Sequence, residues 1–244
     1  MKKQHMLVTV LLCILIIAIC AGGCLLFLVI SQSDSSKTSN IPKVTASTSE
    51  SDPKPVFSSE EIPPALQEKM WGVTISESSP VSFEDLRCLT ISFYDYNGKI
   101  GQGKLIVHCT LAQEVLQIFR ELYKAEFPIE KMQPACFYYG DDILSMADNN
   151  TSAFNDRPIE SSGGLSFHQL GAAIDINPLV NPYIQFSTNT ILPPQGEPYL
   201  DRSRKVKGMI QPDDVCVQIF KKYGWRWGGD WSSLKDYQHF EKDI

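Results

Sequence analysis

The chain predicts an α+β fold, on three observations. Residues 89–94 and 104–108 alternate as strands do around the tight-turn signal Asn97-Gly98, which predicts a hairpin. Leu111, Val115, Ile118, Phe119, Leu122 and Tyr123 then recur at helical spacing as far as Pro128. Beyond them the period switches again, to a short strand over 172–177 and a second helix over 213–223.

Each element carries its own local signal. Gly101 and Gly103 invite a bulge in the returning strand, and an in-phase hairpin would bring Cys88 near Cys109. Thr110-Leu111-Ala112-Gln113 resembles a capping box for the first helix, whose apolar stripe is a packing feature. Asp213 is the expected N-cap of the second helix and Gly224 its stop. Between the helices lies a loop-rich region that includes the polar stretch 148–157, and long irregular segments inside a domain are often functional.

The 244 residues divide into three parts. Residues 6–30 are uncharged and mostly apolar, and at about 1.5 Å per residue they reach about 37 Å, enough to cross a bilayer core of about 30 Å. Lys2 and Lys3 precede the run, so residues 1–30 predict a cytoplasmic stub and one transmembrane anchor with the remainder extracytoplasmic. A cleaved signal has a shorter apolar stretch, and Ala21-Gly22-Gly23-Cys24 offers a competing lipoprotein signal with lipid on Cys24. Residues 31–59, rich in Ser, Thr, Lys and Pro, predict a flexible tether spanning about 30 Å, and 60–244 the folded domain.

A net charge of −6 argues against nucleic acid as a partner, because phosphate binding needs a positive surface. Three of the seven cysteines fall in the apolar run, and Cys88, Cys109, Cys136 and Cys216 form no Cys-x-x-Cys pair, which excludes a thiolate zinc knot. Buried small apolar residues are the expected state of these four.

Four histidines are present: His5, His108, His168 and His239. His5 belongs to the stub, and His108 sits in a strand without a neighbouring carboxylate. His168 is followed by Gly171, which enables a turn, and by a strand in which Ile174 and Ile176 face the core while Asp175 faces the other way. An ionised aspartate in Ala-Ala-Ile-Asp-Ile needs a cation or hydrogen bonds to compensate it, so a metal and a buried polar pair both fit. Asp236 and His239, three residues apart, can share one side of a turn, one as ligand and the other addressing water. Together the two stretches hold the inventory of a zinc hydrolase with three protein ligands and a spare carboxylate. No Gly-x-Ser-x-Gly elbow is present, which argues against a serine hydrolase.

His168-x-x-Gly171-x-Ala173-x-Asp175, then Trp225-x-Trp227-Gly228-Gly229-x-Trp231, then Asp236-x-x-His239, resembles the M15 zinc peptidases, the D-alanyl-D-alanine carboxypeptidase family. The resemblance extends upstream through Phe127-Pro128-Ile129, Asp141-Asp142 and residues 149–155, including Asn150, and downstream through 177–183. It implies a small antiparallel sheet carrying one zinc ion, flanked by helices, with His168, Asp175 and His239 as ligands and Asp236 as general base. It implies Arg157 as the partner of the oxyanion, and Ser166, Asn150 and Trp227 as substrate-binding residues, with Trp225 and Trp231 further walls of the cleft. Asn177 is expected to brace the site or cap the turn before Pro178.

The resemblance implies action on peptidoglycan stem peptides, removing a terminal D-alanine, and the apolar run adds a membrane tether; a monomer is expected. Cleavage of an internal bond such as L-alanyl-D-glutamate, or wall binding without catalysis, are the rival expectations. A carboxypeptidase needs a cation for the terminal carboxylate; Arg202, Arg204 and Lys207 are candidates, with a solvated loop their default state.

Overall fold

In the computed structural model the described residues are 54–156 and 165–244. The anchor, nearly all of the tether and Arg157 lie outside them. Among the described residues no helix is long and apolar enough to cross a membrane.

Ordered structure begins before Glu60. Strand β1 (Phe57–Glu60) occupies the end of the stretch expected to be tether, pairing antiparallel from Phe57 opposite Ile91 to Glu60 opposite Cys88. Helix α1 (Pro64–Met70) follows, entered from Pro63. The predicted hairpin is present and longer than its apolar runs. Strands β2 (Leu86–Tyr94) and β3 (Ile100–His108) pair without interruption from Leu86 opposite His108 to Tyr94 opposite Ile100. Asp95 organises the turn, its Oδ1 accepting from the amides of Asn97 and Lys99 at 2.8 Å each.

The expected bulge is absent, because the glycines serve close packing instead. A Cβ on Gly103 would lie 2.4 Å from the Cβ of Met132, so only glycine lets the next strand approach. Cys88 stands opposite Ile106 rather than Cys109, and Cys88, Cys109, Cys136 and Cys216 are all free thiols.

Both faces of the hairpin are covered. Leu89, Ile91, Leu105 and Val107 point into the main core, and the intervening Leu86, Cys88 and Ile106 join a second cluster with Leu66, Met70 and Phe154. Helix α2 (Ala112–Lys124) closes the main core with Val115, Ile118, Phe119 and Leu122. Its N-cap is Leu111, without a side-chain cap; the expected capping residue Thr110 instead bonds His108 Nδ1 at 2.8 Å.

The remaining elements are short. Strand β4 (Lys131–Met132), helix α3 (Asp142–Ala147, capped by Asp141) and strand β5 (Asn150–Thr151) lead into β6 (Ala173–Asp175). Strands β7 (Tyr183–Gln185) and β8 (Thr190–Leu192) form a ribbon. Helix α4 (Val215–Lys222) is capped by Asp214, one residue after the expected Asp213, and the chain leaves it through Gly224 at φ +79°. Strands β9 (Arg226–Trp227), β10 (Leu234–Asp236) and β11 (His239–Glu241) end the chain. They assemble into two antiparallel three-stranded sheets, β6-β11-β9 and β10-β7-β8. The result is α+β, as expected.

Candidate metal centre

The site is built on the β6-β11-β9 sheet and the turn before it. Phe167–Leu170 is one 3-10 turn, closed by a reciprocal cap in which the His168 amide donates to Ser166 Oγ at 3.2 Å and the Ser166 amide to Gln169 Oε1 at 2.8 Å. Gly171 reverses the chain at φ +67°, and a Cβ there would lie 2.6 Å from the His108 backbone nitrogen. Strand β6 then begins, with Ile174 and Ile176 fully buried in the core and Asp175 turned to the opposite face. His239 is the cross-strand partner of Asp175.

Three side chains converge. His168 Nε2 lies 3.2 Å from His239 Nδ1 and 3.2 Å from Asp175 Oδ2, and His239 Nδ1 lies 3.0 Å from the other carboxylate oxygen, Oδ1. A tetrahedral zinc ion with bonds of about 2.0–2.1 Å places its ligands roughly 3.3 Å apart, and each of these spacings is close to that. His168 Nδ1 donates to the Ala153 carbonyl at 2.5 Å, which leaves its Nε2 lone pair for the centre. His239 turns its other nitrogen to Glu241 Oε2 at 3.2 Å.

The electrostatics fit a cation. Burial works against the Asp175 carboxylate, but the imidazoles of His168 and His239 outweigh it and hold the group well below the usual carboxylate range. Burial opposes charge on His239 too, yet Asp175 and Glu241 raise its pKa to about 10. The carboxylates therefore keep positive charge at this point, as a proton or as a metal.

Asp236, at the end of β10, is half-buried and its Oδ1 is shielded from solvent without a hydrogen-bond partner. Burial raises its pKa to about 6, opposed by His239 and reinforced by Asp175. A carboxylate oxygen left unpartnered at such a depth is costly unless it has work to do. Gln238, buried between Asp236 and His239, also carries an unpartnered oxygen, while its amide nitrogen meets the sulfur of Met146 at 3.4 Å.

Residues 160–242 match the family model described as D-alanyl-D-alanine carboxypeptidase. The segment is M15. No curated protein and no solved structure matches the chain. The matched segment contains His168, Asp175, Asp236 and His239, and it begins downstream of the residues 127–155 to which the resemblance extends.

The other site residues fare differently. Ser166 braces the turn that carries His168 through its cap. Asn150 is fully buried and spent on structure: its amide nitrogen donates to Gln133 O and Ser145 Oγ, and its oxygen accepts from the Gln133 amide, which leaves nothing for a substrate. Trp227 is a core residue whose indole nitrogen donates to Tyr237 O at 3.0 Å, and Trp225 is buried too. Trp231 is the tryptophan at the candidate centre, its ring centroid 5.5 Å from that of His239. Asn177 bonds Pro128 O, Gly208 O and the Glu130 amide, so it ties loops together rather than bracing a ligand. Glu241 was missed, although His239-x-Glu241 is the period of two that puts both on one strand face.

Proposed function

We propose that this chain is a zinc-dependent peptidase of peptidoglycan stem peptides, tethered to the cell membrane by its N-terminal apolar run so that it acts near the inner wall. The observation that carries the reading is the convergence of His168 Nε2, Asp175 and His239 Nδ1 beside a buried, unpartnered Asp236 oxygen. The M15 match over 160–242 supports it.

His168, Asp175 and His239 would hold the metal and leave a fourth position open. Zinc bound there would lower the pKa of a coordinated water to about 7 and polarise the scissile carbonyl. Asp236 accepts the proton of the attacking water and returns it to the leaving amine, a role that suits a carboxyl raised to about 6 by burial. Trp231, against His239, walls the centre on one side. Arg157 remains our proposed partner for the oxyanion.

Removal of a terminal D-alanine is the first reading. One observation favours cleavage of an internal stem bond as the second: the three candidate carboxylate anchors all serve internal contacts. Arg202 donates to the carbonyls of Val180, Tyr199 and Ile210 and lies over the Tyr237 ring, Arg204 donates to Pro198 O, and Lys207 to Tyr96 O.

The test is digestion of defined muropeptides by the purified chain, with products identified by mass. Asp236→Asn is expected to keep stoichiometric zinc and lose turnover by about 10²–10⁴-fold. His239→Ala is expected to lose both. Equal zinc loss in the two variants would make Asp236 a ligand, and zinc without any product would leave a wall-binding module.

A further inference from the structure

His239 presents one ring nitrogen to the centre and the other to Glu241, and the contacts of Glu241 form a short relay to the surface. Its Oε2 faces His239 Nε2 at 3.2 Å, and its Oε1 accepts from Arg226 Nε at 3.0 Å. Arg226 is its cross-strand partner on β9, so the sheet register itself aligns the two side chains. The same guanidinium makes a fork to Asp243, with NH1 at 2.7 Å from Oδ2 and NH2 at 3.2 Å from Oδ1. It also lies over the ring of Phe167, 5.2 Å from the centroid, and Phe167 is the residue before His168. One arginine thus braces both histidine-bearing segments, reaching one through a carboxylate and the other through an aromatic ring.

We infer that Glu241, pinned by Arg226, is a positioning residue for His239: it accepts the Nε2 proton and so commits the Nδ1 lone pair to the metal. The inference rests on the zinc reading above. A neutral imidazole has one donor and one acceptor nitrogen, and the partner of the donor decides which is which. At His168 a backbone carbonyl makes that choice and cannot be mutated away. At His239 a side chain makes it. The carboxylate also makes the imidazole a stronger donor to the metal than a carbonyl partner does, so Glu241 tunes affinity as well as geometry. Arg226 keeps the carboxylate in place, because Glu241 ends its strand and without the arginine its side chain can rotate towards solvent.

Zinc dissociation constants of the full-length chain, measured by competition with a chromophoric chelator, test this without any substrate. Glu241→Ala is expected to weaken zinc binding about 10–100-fold. Glu241→Gln keeps an oxygen that accepts from Nε2 and is expected to recover part of that loss, and Arg226→Met to fall between wild type and Glu241→Ala. Unfolding of the metal-free variants is followed in parallel, so a general loss of stability is separated from a loss of affinity. If Glu241→Ala binds zinc as tightly as wild type while only its metal-free stability falls, the inference is overturned. A wild-type chain that takes up no zinc defeats the metal reading and this inference together. A chain that binds zinc but leaves muropeptides intact defeats the peptidase reading alone, and the order of dissociation constants still decides this one.

Discussion

The hairpin sheet and the site sheet are both small antiparallel sheets, yet they are held by different forces. In the first, nine-residue strands pair in unbroken register and bury apolar side chains on both faces. In the second, strands of two or three residues carry His239, Asp175 and Glu241 on one face, while Phe240 on the other stacks on Phe220 with centroids 4.0 Å apart. So short a ladder cannot hold the candidate metal site in place alone. Buried amides and one arginine complete the job. The Asn181 side chain donates to the carbonyls of Ile176, Asn177 and Gly208, and its oxygen accepts from Arg202 and from the Ile210 amide. The scaffold is stabilised by area, which tolerates exchange among residues of similar size; the site is stabilised by directed bonds, which do not.

That contrast predicts separable consequences. Phe119→Ala, in the hydrophobic scaffold, should cost about 3–5 kcal/mol of stability while the folded fraction binds zinc as wild type does. Denaturant unfolding paired with a zinc titration checks it, and a parallel loss of affinity would mean that the two sheets are not separable. Asn181→Ala should cost less, about 1–3 kcal/mol, yet weaken zinc binding, because the carbonyls it holds directly follow Asp175 on the chain. Unchanged affinity in that variant would confine Asn181 to the scaffold side of the comparison.

The smallest effect is one of pH. His239 has its pKa raised to about 10 in the metal-free chain, so the metal must displace a proton from it. Zinc affinity should therefore rise with pH, by up to about tenfold per unit between roughly pH 6 and 8, with proton release visible by calorimetry in buffers of different ionisation enthalpy. The sign for stability is the opposite. A raised histidine pKa stabilises the metal-free fold fully below its ordinary value of 6.5, and that contribution fades as pH climbs through about 10. An affinity independent of pH would show that His239 carries no proton to displace.

Much of the molecule was legible in the chain. The hairpin, both long helices and the alternation of Ile174, Asp175 and Ile176 follow from local periodicity, which is a property of a few adjacent residues. That His168, Asp175 and His239 could come together was legible because only four histidines are present and the motifs around two of them resemble a known zinc-peptidase pattern. The capping of α2, the role of Gly103 and the start of the fold at Phe57 were not, since each depends on what a distant segment places alongside. Asn150 and Trp227 show the same limit from the other side: the resemblance implied a substrate surface, and burial against Gln133, Ser145 and Tyr237 made them structural.

The sequence by itself determined the α+β class, the division into apolar run, polar stretch and domain, and which side chains can ligate a metal, because composition and short-range spacing carry that information. Tertiary structure alone decided that Asp175 and His239 face each other across two strands, that Trp231 rather than Trp227 stands at the centre, and that Glu241 and Arg226 stand behind His239. The physical reason is register: which residues meet across a sheet depends on how distant strands pair, and a shift of one residue would turn every one of these side chains to the opposite face.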